Sequence, residues 1–123
     1  MSADRALEQA RPMLEDLLPK IGIVSDGTPL DTAECMALFS KWVGEQTVGE
    51  RDFAFFCSLI GAFIIVHLTE HKDAKASVRS GRIILGLPSQ EGIVREFEPY
   101  VVANGIASGR DCDLESFLVN VAA

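Results

Sequence analysis

The sequence predicts an α+β fold, mainly helical, with a small three-stranded antiparallel sheet between a long buried helix and the C-terminal helices. Three observations predict it. Residues 53–68 (FAFFCSLIGAFIIVHL) are apolar on nearly every face, the composition of a helix enclosed by other elements. From residue 74 the apolar period changes from helical to alternating, with Ser80 and Gly81 placed as a tight turn between two strand-like runs. Both ends of the chain return to helical periodicity. With 123 residues, a single domain spanning 1–123 is expected, large enough to bury a core without disulfides.

The elements follow in order. Leu7, Ala10, Leu14, Leu17, Leu18 and Ile21 recur at helical spacing, with Asp4, Glu8, Glu15 and Asp16 on the other side. Pro12 removes a backbone hydrogen bond and crowds the preceding turn, so a kink or a fresh helix start is expected there. Pro19 and the following IGIVSDGTP close the helix. Asp31 and Glu34 have capping-box spacing for a second helix, whose apolar face is Cys35, Leu38, Phe39, Trp42 and Val43 and whose end is Gly44.

The buried helix is expected over residues 50–71, with Glu50 and Asp52 in its first turn and His71 and Lys72 at its last, which suits the helix dipole. Gly61 sits at its centre at a cost of about 1 kcal/mol relative to Ala, which implies that another element approaches the backbone there. Lys75, Ser77 and Arg79 alternate with Ala74, Ala76 and Val78 in the first strand. The second, residues 82–87, is apolar on both faces and therefore central. Residues 93–97 supply the third.

Glu98-Pro99 starts a short helix that ends near Asn104-Gly105, in preference to a hairpin turned by that pair. Asp111 or Asp113 then caps a last helix with the stripe Leu114, Phe117, Leu118 and Val121. Cys35, Cys57 and Cys112 are odd in number and widely spaced, and are read as reduced, small structural residues.

Composition narrows the function classes. The net charge of −7 argues against nucleic-acid binding, which draws its affinity from Lys and Arg on phosphates. Charge is segregated: residues 1–70 carry five basic and eleven acidic side chains, 71–95 five and two, and 96–123 one and five. The apolar helix is bounded by Glu50, Arg51, Asp52, Glu70 and Lys72 and broken by Ser58 and His67, so it reads as a core helix rather than a membrane span. The first twenty residues are amphipathic and acidic, without the pattern of a signal peptide, and a cytoplasmic location is expected.

His67-Leu68-Thr69-Glu70-His71 has the form HxxEH, which resembles the motif of inverted zinc peptidases over these five residues. On a helix, His67 and His71 face one way and Glu70 stands as general base; a zinc site needs a third protein ligand. The alternative reading it offers is a small zinc-dependent hydrolase using His67, Glu70 and His71. No GxSxG, GxGxxG or P-loop is present. The chain is thus read first as non-enzymatic, without a cofactor.

The succession of an apolar helix (IGAFIIVHL), a basic hairpin (KASVRSGRIILGLP), a strand entering an aromatic-proline segment (REFEPYVV) and a terminal helix (DLESFLVNV) resembles a family of small bacterial α+β domains of unknown function. The resemblance implies the fold over residues 50–121 and no catalytic residue.

A bacterial protein–protein interaction domain is the leading expectation, most concretely a cytoplasmic immunity protein or inhibitor of a basic toxin or effector, since complementary charge speeds encounter. Contact residues expected on this reading are Glu8, Glu15, Asp16, Trp42, Glu45, Asp111, Asp113 and Glu115, although Trp42 also fits the core face of its helix. A self-associating adaptor, including a homodimer, is the alternative within the same class.

Overall fold

A computed structural model of the chain describes residues 3–23, 33–88, 92–109 and 113–121. Helix α1, Ala3–Lys20, forms on the apolar stripe of Ala10, Leu14 and Leu18, all buried, with Leu7, Leu17 and Ile21 half-buried beside it. It runs through Pro12 without the fresh start expected there. The proline ring lies on the exposed side, and burial of the stripe outweighs the lost hydrogen bond. Gly22, at φ +78°, ends the helix: its N–H donates to the Pro19 carbonyl at 3.1 Å and that of Ile23 to Leu18 at 3.1 Å. This is a Schellman cap, in which glycine takes the left-handed position.

Helix α2, Ala33–Glu45, buries Cys35, Phe39 and Val43 and holds Trp42 half-buried. Asp31 and the Glu34 side chain, the expected capping pair, lie outside the described residues. Leu38 departs from the expected face and is 42% exposed. At ~100° per residue it falls just off the arc that is buried, because the helix is rotated toward Ser40. The Ser40 hydroxyl accepts the Glu115 N–H at 2.9 Å and is itself buried.

Helix α3, Phe53–His71, begins three residues later than expected. Residues 49–52 form a turn, the Asp52 N–H donating to the Gly49 carbonyl at 3.1 Å, so Glu50 and Asp52 precede the helix instead of occupying its first turn. Every residue from Leu59 to Leu68 is buried. The helix is long and apolar enough to cross a membrane, with a mean hydropathy of 1.9, but most of it is covered here by other elements of the chain.

Strands β1 (Lys75–Arg79), β2 (Arg82–Pro88) and β3 (Val94–Phe97) form one antiparallel sheet in the order β1-β2-β3. Ser80 and Gly81 both have positive φ, 53° and 74°, as the tight turn between oppositely running strands requires. Ile83, Leu85 and Leu87 are buried on one face of the central strand, while Ile84 on the other is half-buried. α1, α3 and α4 lie against the sheet, and Phe97 meets Phe117 edge-on at 5.5 Å.

Helix α4, Pro99–Ala107, continues past Asn104-Gly105, where an end was expected. Gly105 is buried, and the helix closes instead at Ser108, followed by Gly109 at φ +73°. A left-handed glycine terminates the helix, and it is the later one. Helix α5, Leu114–Val121, is capped by Asp113, whose Oδ1 accepts the Ser116 N–H at 2.8 Å. Leu114 and Leu118 are buried, with Phe117 and Val121 half-buried. Among the described residues the architecture is α+β, mainly helical, with five helices around one small sheet.

The expectation that another element approaches Gly61 is met by Tyr100. A Cβ at Gly61 would lie 2.5 Å from both Cδ1 and Cε1 of that ring. The absence of a side chain is therefore what lets α4 seat its tyrosine against the α3 backbone. Burial raises the Tyr100 hydroxyl pKa above its ordinary value of 10.0.

Candidate functional site

The core is threaded by aromatic rings that lead to one corner of the molecule. Phe39 stacks on Phe63 at 4.5 Å and on Trp42 at 5.8 Å, and Trp42 meets Phe56 at 5.9 Å. These contacts fasten α2 to α3 and leave Trp42 half-buried, packed against the core. Gln46 adds a bond from its side-chain amide to the Trp42 carbonyl at 3.0 Å.

Beyond those rings α3 emerges from the core. Phe56 is buried, but Ala54 is exposed, Phe55 is 55% exposed, and Phe53, Cys57 and Ser58 are half-buried. Glu45 at the end of α2 and Glu50, Arg51 and Asp52 in the turn before α3 are all exposed, and none forms an ion pair among the described residues. An exposed phenylalanine thus follows closely in the chain on three exposed acids and one exposed base. Phe55 was not separable from its neighbours by sequence, because a helix apolar on every face carries no signal of which face is covered.

The other expected contact acids are distributed differently. On α1, Glu15 pairs with Arg11 at 3.0 Å and Asp16 with Lys20 at 3.2 Å, so two of its acids carry their own counter-ions; Glu8 is exposed. Asp113 is spent on the cap of α5, where the Ser116 N–H and side chain hold its carboxyl pKa below the usual value of 3.8. Glu115 is half-buried next to Ser40, and Asp111 lies outside the described residues. The structure thus brings Trp42 against Phe56 near the start of α3, while Glu15 and Asp16 are paired within α1 and Asp113 is held at the cap of α5.

The HxxEH residues occupy the far end of α3. His67 stacks in parallel on Phe63 at 6.0 Å and is buried, and His71 lies 5.3 Å from it at the helix end. Glu70 points to α1 and pairs with Arg11. Among the described residues no group of three His, Cys, Asp or Glu side chains gathers as metal ligands. The geometry couples α1 to α3 and continues the ring stack.

A second concave surface lies on the solvent face of the sheet. Lys75, Gly86 and Glu96 are cross-strand partners in one row, and Pro88 and Val94 in the next. With Asp73 and Ser77 they line a groove of about 450 Å³. Gly86 shapes it: with no side chain in the middle of the row, Val94 leans in from the next one, its Cγ1 lying 3.1 Å from where a Gly86 Cβ would be. A glycine inside a strand pattern was the available sequence signal for such a site.

No protein-family model matches this sequence, and neither a curated protein nor a solved structure is significantly similar to it. The resemblance to small bacterial domains therefore stands on the order of elements alone. The fold and its surfaces define an α+β protein whose function is argued from sites rather than from relatives.

Proposed function

We propose that the chain is a non-enzymatic protein–protein interaction domain that engages a basic partner through the corner between α2 and α3, most concretely as an immunity protein or inhibitor of a basic toxin or effector in a bacterial cytoplasm. The observation that carries the reading is Phe55: half of a large apolar side chain stands in solvent at the emergent end of an otherwise buried helix, and the chain leading into that helix carries the exposed acids Glu45, Glu50 and Asp52. Aromatic anchors supply much of the energy in such interfaces, and rim charges select the partner and speed its arrival.

The test is differential capture from a bacterial lysate on the immobilised protein, with partners identified by mass and their association rates then measured against salt. A basic protein retained by the wild type, weakened about tenfold or more by Phe55→Ala and slowed by the Glu50→Gln/Asp52→Asn pair, supports the reading. Equal retention by those variants and the wild type, or salt-insensitive association, overturns it. Concentration-dependent dimerisation that Phe55→Ala abolishes, with no other protein captured, transfers the surface to the self-associating adaptor.

A further inference from the structure

We propose that the groove on the solvent face of the sheet binds a zwitterionic amino acid with an aliphatic side chain. The inference is independent of the α2–α3 corner, since none of its lining residues belongs to that corner. It rests on how the sheet distributes charge. Strand residues two apart share a face, so Lys75, Ser77 and Arg79 project from the same side of β1, and Arg82, Ile84, Gly86 and Pro88 from that side of β2. Two of the three cations there are already compensated across the sheet: Arg79 pairs with Glu96, and Arg82 with Glu98 at 3.3 Å.

What remains in the groove is one cation and one anion. Lys75 stands on one wall and Asp73, two residues before it, on the same rim; neither forms an ion pair among the described residues. Asp73 holds a left-handed backbone at φ 57°, the turn that joins α3 to β1. Ser77 adds a hydroxyl, and Pro88 and Val94 form an apolar wall, Val94 being 58% exposed. The Glu96 carboxylate, held by Arg79, completes the far side.

These groups match the parts of an amino acid. Its carboxylate meets the Lys75 ammonium and the Ser77 hydroxyl, its ammonium meets the Asp73 carboxylate, and its side chain lies over Gly86 against Pro88 and Val94. Simple acids meet Asp73 as a like charge and simple amines meet Lys75 likewise, whereas a zwitterion satisfies both at once. The volume of about 450 Å³ is within the range of small-molecule sites, and its shallow, open form suits a weak ligand.

The probe is L-leucine, titrated into isotope-labelled full-length protein and followed by amide chemical shifts, with isoamylamine, isocaproate and isoamyl alcohol as analogues lacking the carboxylate, the ammonium or both. The expected result is saturable movement of amides in residues 73–77, 86 and 94–96, with affinity lowered about tenfold by Lys75→Gln and by loss of either charged group. Lys75 is exposed, so that variant keeps the fold. Gly86→Val, checked for native circular dichroism, fills the floor and removes binding. Phe55→Ala leaves it unchanged. The proposal is overturned if leucine at about 10 mM moves none of these amides, if isoamyl alcohol binds as tightly, or if Lys75→Gln or a folded Gly86→Val binds like the wild type.

Discussion

Gly61→Ala tests the contact on which the packing of α4 depends. On helix propensity alone, alanine in place of glycine within α3 stabilises by about 1 kcal/mol. The added methyl, however, would lie 2.5 Å from two carbons of the Tyr100 ring and 3.4 Å from a third. Carbon atoms settle at about 3.5–4.0 Å, so the two nearest contacts overlap by about 1 Å.

The ring has little room to yield, because it follows the buried Pro99 and precedes the buried Ala103 on a helix packed against α3. Overpacking of this kind costs about 3 kcal/mol, and with the propensity gain subtracted the net loss is about 2 kcal/mol. For a chain of this size that is a fall in Tm of about 8 °C.

The assay is urea unfolding followed by Trp42 fluorescence and circular dichroism, for Gly61→Ala, Tyr100→Leu and the double variant. Relief of the clash in the double variant should give a coupling of about 1–2 kcal/mol. If Gly61→Ala raises stability, or the two changes simply add, the close approach of α4 to the α3 backbone is not what the glycine is for.

Three further outcomes are expected. Phe56→Ala and Ile64→Ala should each cost about 3 kcal/mol through lost burial and a cavity, measured by the same unfolding curves, and a loss below about 1 kcal/mol at both would place α3 outside the stability core. Because its folded pKa is depressed, Asp113 stabilises fully above its unfolded value of about 3.9 and progressively less as pH falls through its lower folded value. The urea midpoint of the wild type should thus drop more steeply below about pH 4 than that of Asp113→Asn; parallel curves would remove the cap from the account. Partial burial raises the Cys57 thiol pKa above 9.0 and Cys35 is buried, so a thiol reagent near neutral pH should label Cys57 slowly and Cys35 only on unfolding, followed by mass. Rapid native labelling of Cys35 would contradict its place on the buried face of α2.

The elements that could be read from the chain are those whose signals are local. The helical stripe of α1, the alternation of β2, the Ser80-Gly81 turn and the Asp113 cap are each written within a few residues. The errors fall where a local preference met a tertiary one. Of the two outcomes expected at Pro12, a kink or a fresh start, the fresh start did not occur, because the Ala10, Leu14 and Leu18 stripe is buried on both sides of it. Asn104-Gly105 did not end α4 because Gly105 is packed inside and Gly109 supplies the left-handed cap. Leu38 lies outside the buried arc because Ser40 holds α2 toward α5.

By itself the sequence determined that α3 is a core helix, that β2 is central, and that something must come close at Gly61, since these follow from apolar content and from the cost of a helical glycine. Only the tertiary structure decided that the visitor is Tyr100, that Phe55 is left in solvent, and that Glu70 is taken by Arg11, fifty-nine residues away. It also decided that Arg79 and Arg82 are compensated by β3 and its end while Lys75 and Asp73 share a groove over Gly86. A helix apolar on every side has no preferred face until its neighbours are in place, and a charge has no partner until strands and helices distant in sequence bring one within reach.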